Sequence, residues 1–155
     1  MTEDIPRTDP NKPPATDKAA KIARQFMEAL PYAKAIGMQV IHVGAGTSEF
    51  ALPYRDDLVG DPDTGVLHGG AVSALLDSAC GAAVISHPDS AGGTATLDLR
   101  IDYMRAATPG QTLVGQAECY HVTRSVAFVR AVALDDDTDR PVAAATGAFT
   151  FKMTS

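Results

Sequence analysis

The segment of residues 69–86 constrains the fold of this chain more than any other part of the sequence. Its residues are almost all apolar or small, and Pro88 follows shortly after, so the segment predicts a buried helix. Asp77 is the one charged side chain in it. A helix that is apolar nearly all round must be covered by other elements, which the rest of the chain has to supply.

The residues around this helix have the pattern of strands. Residues 96–103 alternate apolar and polar side chains, which predicts a strand with one face in solvent. Further strands are predicted over residues 38–44, 47–54, 111–120, 123–134 and 141–152. One buried helix with this many strands predicts an α+β fold, in which a mostly antiparallel sheet packs on the helix.

The beginning of the chain has a different character. Residues 1–16 are polar and rich in proline, and they predict a flexible tail. An amphipathic helix is expected over about residues 18–30, and Pro31 should end it. The chain has 155 residues, so residues 17–155 are expected to form a single domain.

Composition excludes several classes of protein. The net charge of −6 argues against a protein that binds a nucleic-acid backbone, and no polybasic membrane patch occurs. No apolar run reaches the roughly 20 residues that span a bilayer. Two cysteines give no disulfide framework or zinc set, and the four histidines lack the spacing of metal ligands. We therefore expect a cytoplasmic protein without a metal.

The start of the buried helix is the first candidate for chemistry. The first turn of a helix leaves backbone N–H groups unpaired and carries a partial positive charge. Gly69 and Gly70 open this helix, and glycine lets a ligand approach the backbone closely. The sequence therefore predicts an oxyanion hole, where a carbonyl oxygen would be stabilised as it gains charge.

Asp77 is the second candidate. Its face of the helix consists of small residues: Gly70, Ser73, Ala74 and Gly81. A close-packed partner or a pocket must cover this face. Two plainer interpretations stay open, since Asp77 could form a buried ion pair with Arg100 or Arg130, and His68-Gly69-Gly70 could be no more than a tight turn.

The separation of these two candidates has a consequence. Eight helical residues place Gly69 and Asp77 about 12 Å apart along the axis. A base and an oxyanion donor must both lie about 3 Å from one reacting centre. Gly69 and Asp77 of one helix are therefore too far apart to act on the same reacting centre. Two antiparallel copies of the helix could supply both groups, with Gly69 from one chain and Asp77 from the other. This predicts a homodimer with two interfacial sites.

The sequence over residues 33–152 resembles the hotdog-fold acyl-CoA thioesterases, particularly the phenylacetate-pathway type. The resemblance is carried by Gly65, by His68-Gly69-Gly70 with Asp77 nine residues after the histidine, by Asp102-Tyr103-Met104, and by the segment of residues 145–149. It implies a curved antiparallel sheet wrapped around a long central helix, with dimers that often pair into tetramers. The implied substrate is an acyl-CoA, and CoA is part of that substrate rather than a cofactor.

The resemblance also implies roles for individual residues. Asp77 would be the general base or the nucleophile, and the Gly69 N–H would polarise the thioester carbonyl. His68 would support the loop, and Thr96 would orient the attacking water. Apart from the resemblance, the position of Gly70 and Ser73 on the Asp77 face of the helix predicts that they contact the substrate.

Basic groups are expected to hold the phosphates of CoA, since arginine suits phosphate geometry. The resemblance places such a contact at Arg124-Ser125, and Arg105 follows a predicted strand end. Both arginines could equally be ordinary solvated side chains.

One departure from the family pattern supports an alternative. Family members commonly have an asparagine six residues before the histidine, where this chain has Pro62. A non-catalytic acyl-CoA sensor would tolerate that change. A hotdog-fold dehydratase or hydratase is the other alternative, although the histidine-carboxylate motif of those enzymes is absent from the sequence.

Overall fold

The computed structural model describes residues 18–154. The predicted tail over residues 1–16 lies outside the described residues. The helices are α1 (Lys18–Ala29), α2 (Pro31–Ala35) and α3 (Gly69–Ile85), and a short 3-10 turn covers Asp56–Leu58. The strands are β1 (Gln39–Gly44), β2 (Thr47–Leu52), β3 (Val59–Asp61), β4 (Val66–Leu67), β5 (Thr96–Tyr103), β6 (Leu113–Val122), β7 (Val126–Leu134) and β8 (Ala143–Thr150).

Six strands form one sheet in the order β1-β2-β6-β7-β8-β5, with every neighbouring pair antiparallel. β3 and β4 form a separate two-stranded hairpin. Helix α3 contacts strands across the six-stranded sheet, from β1 to β5. A sheet wrapped on one long central helix is the hotdog architecture, so the predicted α+β fold is confirmed.

The core lies between α3 and the concave face of the sheet. Leu75, Leu76 and Ala79 of the helix are completely buried, which agrees with the buried helix predicted from the sequence. Gly115 of β6 allows this packing, because a Cβ atom there would lie 2.8 Å from Cγ of Leu75. Close packing of this kind places α3 in a fixed position against the strands.

The short helix α2 and the β3–β4 hairpin are absent from the sequence-based prediction. Pro31 ends α1 as expected, but it also begins the short helix α2, because proline is well suited to the first position of a helix. The polar loop after residue 54 contains the β3–β4 hairpin, whose strands have three and two residues. Strands this short leave no recognisable alternation in the sequence.

The polar side of β5 is exposed as predicted, whereas its apolar side is only partly covered. Among the described strands, β5 lies at the edge of the sheet and pairs with β8. Leu97 is 58% exposed and Tyr103 is 53% exposed, although both lie on the apolar side of the alternation. Leu99 and Ile101, between these two residues, are partly buried against the core. The alternation therefore predicts the two sides of β5 correctly, and the two ends of its apolar side stay open.

Helix α1 shows a smaller difference. Met27 is buried, but Ile22 and Phe26 of the same apolar stripe are about half exposed. No helix among residues 18–154 is long and apolar enough to cross a bilayer.

Candidate active site

His68 forms the N-terminal cap of α3. Its Nδ1 atom accepts a hydrogen bond of 2.8 Å from the Gly70 N–H. The contact needs glycine at position 70, because a Cβ atom there would lie 2.8 Å from Nδ1 of His68. Gly60 of the β3–β4 hairpin passes equally close, since a Cβ atom there would lie 2.7 Å from Cα of His68. Two glycines therefore position this histidine.

Gly69 begins the helix with a free donor. Among the described residues, no acceptor is hydrogen-bonded to its N–H, whereas its carbonyl oxygen accepts a bond of 2.9 Å from the Tyr103 hydroxyl. Gly69 borders a cleft of about 390 Å³ between α3 and the end of β5. The other lining residues are Val66, Leu67, Val72, Tyr103, Met104, Arg105, Ala106, Ala107 and Val142. A free helix N-terminal N–H beside a mainly apolar cleft is suited to bind a carbonyl oxygen.

Asp77 lies two turns further along α3 and is half-buried. Its Oδ1 atom accepts a hydrogen bond of 2.7 Å from Oγ1 of Thr96, the first residue of β5. Thr96 is held in turn by its neighbours, since the Thr94 hydroxyl donates to the Thr150 carbonyl and the Ala95 N–H donates to the Thr150 hydroxyl. The structure thus brings together Asp77 and Thr96, which are 19 residues apart in the sequence.

The ion-pair interpretation of Asp77 is wrong. Arg100 pairs with Asp102 at 3.0 Å, and Arg130 pairs with Glu118 at 2.9 Å. Within residues 18–154, Thr96 is the hydrogen-bond partner of Asp77. The carboxylate therefore keeps its second oxygen available.

The small-residue face of α3 is present as expected. Gly70 is exposed, and Ser73, Ala74, Asp77 and Gly81 are partly exposed along one side of the helix. The Ser73 hydroxyl donates to the Gly70 carbonyl at 3.0 Å, so the serine turns back on its own helix. The structure does not bring Gly69 and Asp77 together, because they lie eight residues apart on one helix, about 12 Å along its axis.

Arg105 has a structural partner. Its guanidinium forms two hydrogen bonds to the buried Asp135, at 2.8 and 2.6 Å, and donates to the Arg140 carbonyl. The guanidinium holds the pKa of the Asp135 carboxyl well below its usual range, and the carboxylate raises the pKa of Arg105. Arg105 therefore anchors the β7–β8 connection, and its contact with CoA remains a prediction.

Arg124 and Ser125 lie in the turn between β6 and β7. The Ser125 carbonyl accepts a bond of 2.9 Å from the Phe151 N–H, while the Arg124 side chain is exposed and has no partner among the described residues. The turn lies at the same end of the sheet as Thr96, because β7 begins opposite Thr150 and Thr96 pairs with Phe149. Arg124 is thus at the end of the sheet where Thr96 contacts Asp77.

Neither a metal ion nor a reactive thiol is supported by the part of the chain that the structure describes. No group of three His, Cys, Asp or Glu side chains gathers there in a way that could hold a metal ion. Cys80 lies on α3 near Asp77, but burial raises the pKa of its thiol, so it stays protonated and unreactive. Asp77 is the available reactive group on this helix.

Tyr103 is the site residue that sequence reasoning missed. It belongs to the Asp102-Tyr103-Met104 segment of the family resemblance, but that resemblance assigns no role to its side chain. The sequence signal that could have identified Tyr103 is its position at the end of a strand in which apolar and polar side chains alternate. The contact with Gly69 spans 34 residues, which local pattern does not reveal.

The chain is similar in sequence and fold to several known proteins. A family model described as the thioesterase superfamily matches residues 64–142. A crystal structure of a Pseudomonas aeruginosa protein is 40% identical over 85% of this chain and 98% of that one, with a TM-score of 0.74. The phenylacetic acid degradation protein PaaI from Thermus thermophilus, in a mutant form, is 29% identical over 79% of this chain and 99% of its own, with a TM-score of 0.70.

A further relative is the medium/long-chain acyl-CoA thioesterase YigI of Escherichia coli K12, which is 23% identical over 83% of this chain and 90% of its own. The family model covers both Gly69 and Asp77, together with β5 to β7 and the start of the segment that follows. These matches confirm the resemblance drawn from the sequence and the expectation of a thioester hydrolase. The chain belongs to the thioesterase superfamily.

Proposed function

We propose that the protein hydrolyses acyl-CoA thioesters to a carboxylic acid and free CoA. The observation that carries this proposal is the pair of free groups on one helix. Among the described residues the Gly69 N–H has no acceptor, and Asp77 keeps one carboxylate oxygen free while Thr96 holds the other. An oxyanion donor and a positioned carboxylate are the two groups that acyl transfer from a thioester requires.

The chemistry needs no metal, because a thioester is already an activated acyl group. Asp77 accepts a proton from water, the water oxygen forms a bond to the carbonyl carbon, and the Gly69 N–H stabilises the oxyanion. The oxyanion then collapses, the C–S bond breaks, and the thiolate leaves and takes up a proton. Direct attack by Asp77 would instead give an anhydride that water hydrolyses.

We propose further that each site takes Gly69 from one chain and Asp77 from a second. Within a chain, Asp77 lies beside the start of β5 through Thr96, and Gly69 lies beside the end of β5 through Tyr103. Two antiparallel β5 edges related by a two-fold axis would bring the start of one strand to the end of the other. The exposed Leu97, Tyr103 and Met104 along this edge support such pairing.

The surroundings support an acyl-CoA as the substrate. The cleft beside Gly69 is lined mainly by apolar side chains, which suits an acyl group. Gly70 and Ser73 border the exposed face that leads away from it. Arg124 offers a guanidinium that is unpaired within the described residues to a phosphate, with Ser125 beside it. The relative YigI acts on medium- and long-chain acyl-CoA by its name, and it supports the same class of substrate here.

The test is thiol release from a panel of acetyl-, octanoyl-, palmitoyl-, benzoyl- and phenylacetyl-CoA. Asp77→Asn keeps the size of the side chain and removes the base, so we expect hydrolysis of the best substrate to fall by about 100-fold or more. Asp136→Asn, an exposed carboxylate on the β7–β8 connection, is the matched control and should keep full activity. Absence of hydrolysis by the parent protein, with binding of acyl-CoA intact, would favour a sensor.

A further inference from the structure

The peptide group between Gly69 and Gly70 is held at both ends by side chains. Its carbonyl oxygen accepts the hydrogen bond of 2.9 Å from the Tyr103 hydroxyl. Its N–H donates the hydrogen bond of 2.8 Å to Nδ1 of His68. These two contacts come from different elements, one from the end of β5 and the other from the residue before α3. Without such contacts, two consecutive glycines would give this helix start more conformational freedom than other residues would.

The same contacts decide which donor remains free. The Gly70 N–H is occupied by His68, so the Gly69 N–H is left as the donor at this helix start. The direction of the Gly69 N–H depends on the φ and ψ angles of Gly69. These angles are restricted because the Gly69–Gly70 peptide group is held in place. The Tyr103 ring also lies against Gly69, because a Cβ atom at Gly69 would be 3.5 Å from Cε1 of Tyr103.

We propose that Tyr103 is a positioning residue for the oxyanion donor. Its hydroxyl holds the Gly69 carbonyl, and thereby keeps the Gly69 N–H directed into the cleft that both residues line. Tyr103 does not touch the reacting atoms through this hydroxyl, because the hydroxyl proton is given to the backbone. The inference rests on the proposed function, since it assigns the Gly69 N–H to the thioester oxygen.

Tyr103→Phe isolates the hydroxyl, because it keeps the ring that packs on Gly69 and on the edge of β5. A donor displaced by a fraction of an ångström binds the transition state less well, while binding of the substrate body is unchanged. We expect kcat for the best acyl-CoA of the panel to fall by about 10- to 100-fold, with KM within about 2-fold of the parent value. A rise in KM at constant kcat, or no change in either, would overturn the proposal.

Tyr120→Phe is the matched control. Tyr120 is 51% exposed, close to the 53% of Tyr103, and its hydroxyl has no hydrogen bond within the described residues. The Tyr120→Phe substitution should leave kcat and KM unchanged. Sedimentation of Tyr103→Phe should match the parent, so that a change in assembly cannot account for the loss of rate.

A second readout does not depend on hydrolysis. The backbone amide signals of Gly69 and Gly70 in an ¹⁵N–¹H spectrum should shift in Tyr103→Phe and stay in place in Tyr120→Phe. Unmoved signals would overturn the proposal even if kcat fell. If the parent protein hydrolyses no thioester of the panel, the proposed function fails, and shifted amide signals would still show that Tyr103 holds this peptide.

Discussion

The hydroxyl of Thr96 donates a hydrogen bond of 2.7 Å to Oδ1 of Asp77 and thereby joins the first residue of an edge strand to the middle of the central helix. The bond fixes one carboxylate oxygen and leaves the other one directed away from Thr96. A carboxylate held in this way has a defined orientation toward a water molecule or a carbonyl carbon. The family resemblance implies that Thr96 orients the attacking water, and this role stays a prediction: the hydroxyl donates its proton to the carboxylate and keeps its oxygen lone pairs as acceptors.

Thr96→Val removes this hydroxyl and keeps the branched shape of the side chain, which a strand position accepts. We expect kcat to fall by about 10-fold with KM nearly unchanged, because the carboxylate loses its orientation while substrate contacts stay. Steady-state kinetics of the parent, Thr96→Val and Thr96→Ser measures this. The serine variant retains the hydroxyl and should recover much of the rate, and equal loss in both variants would contradict the assignment.

Gly69→Pro deletes the proposed oxyanion donor with little other change. Proline is favoured at the first position of a helix, and the Gly69 N–H has no acceptor to lose among the described residues. His68 has an extended backbone, with φ −61° and ψ 136°, which suits a residue before proline. We expect kcat to fall by about 100- to 1,000-fold while the melting temperature stays within a few degrees. Full activity in a folded variant would exclude Gly69 as the donor.

Mixing two inactive variants tests whether each site is shared between two chains. Asp77→Asn and Gly69→Pro impair opposite halves of the proposed site. A mixed dimer would contain one site with both defects and one intact site, so activity should reappear after the two variants are unfolded and refolded together. Thiol release from the mixture, compared with each variant refolded alone, is the measurement. No recovery in mixed dimers of confirmed composition would place both groups in one chain.

Gly70→Ala should disrupt the histidine cap. The added Cβ atom would lie 2.8 Å from Nδ1 of His68, so the ring has to leave the Gly70 N–H. We expect a loss of about 1 kcal/mol in the free energy of unfolding, as for other helix caps. Gly81→Ala is the control on the same helix. Its added Cβ atom would have its nearest neighbours at 3.8 and 3.9 Å, so the alanine fits there and should stabilise the helix. Denaturant unfolding compares the two, and equal stability would count against the cap.

The Arg105–Asp135 pair should make stability depend on pH. The pKa of Asp135 is lowered in the folded protein, chiefly by the hydrogen bond from Arg105, so this contribution is fully present above the ordinary carboxyl pKa. It is lost as the pH falls below about 4, toward the lower pKa of the folded state. Asp135→Asn should cost about 3 kcal/mol at pH 7, because the Asp135 side chain is fully buried, and less in acid. Thermal denaturation of both proteins from pH 7 to pH 3 measures the difference, and a constant difference would contradict the argument.

The sequence determined the elements with strong periodicity and the chemistry of the helix. The apolar segment became α3, with bounds within a residue of those expected, because seventeen residues of nearly continuous apolar character permit no other element. The long strands appeared where alternation predicted them. His68, Gly69 and Asp77 were identifiable because a helix start and a lone carboxylate on an apolar helix are rare enough to carry information.

The tertiary structure decided which groups meet. The Thr96–Asp77 and Tyr103–Gly69 contacts depend on β5 lying at the sheet edge beside α3, which is set by strand order and not by local pattern. The same holds for Arg105, whose partner Asp135 lies 30 residues away. Periodicity reports which way a side chain points relative to its own element, whereas the identity of its partner follows from how distant elements pack.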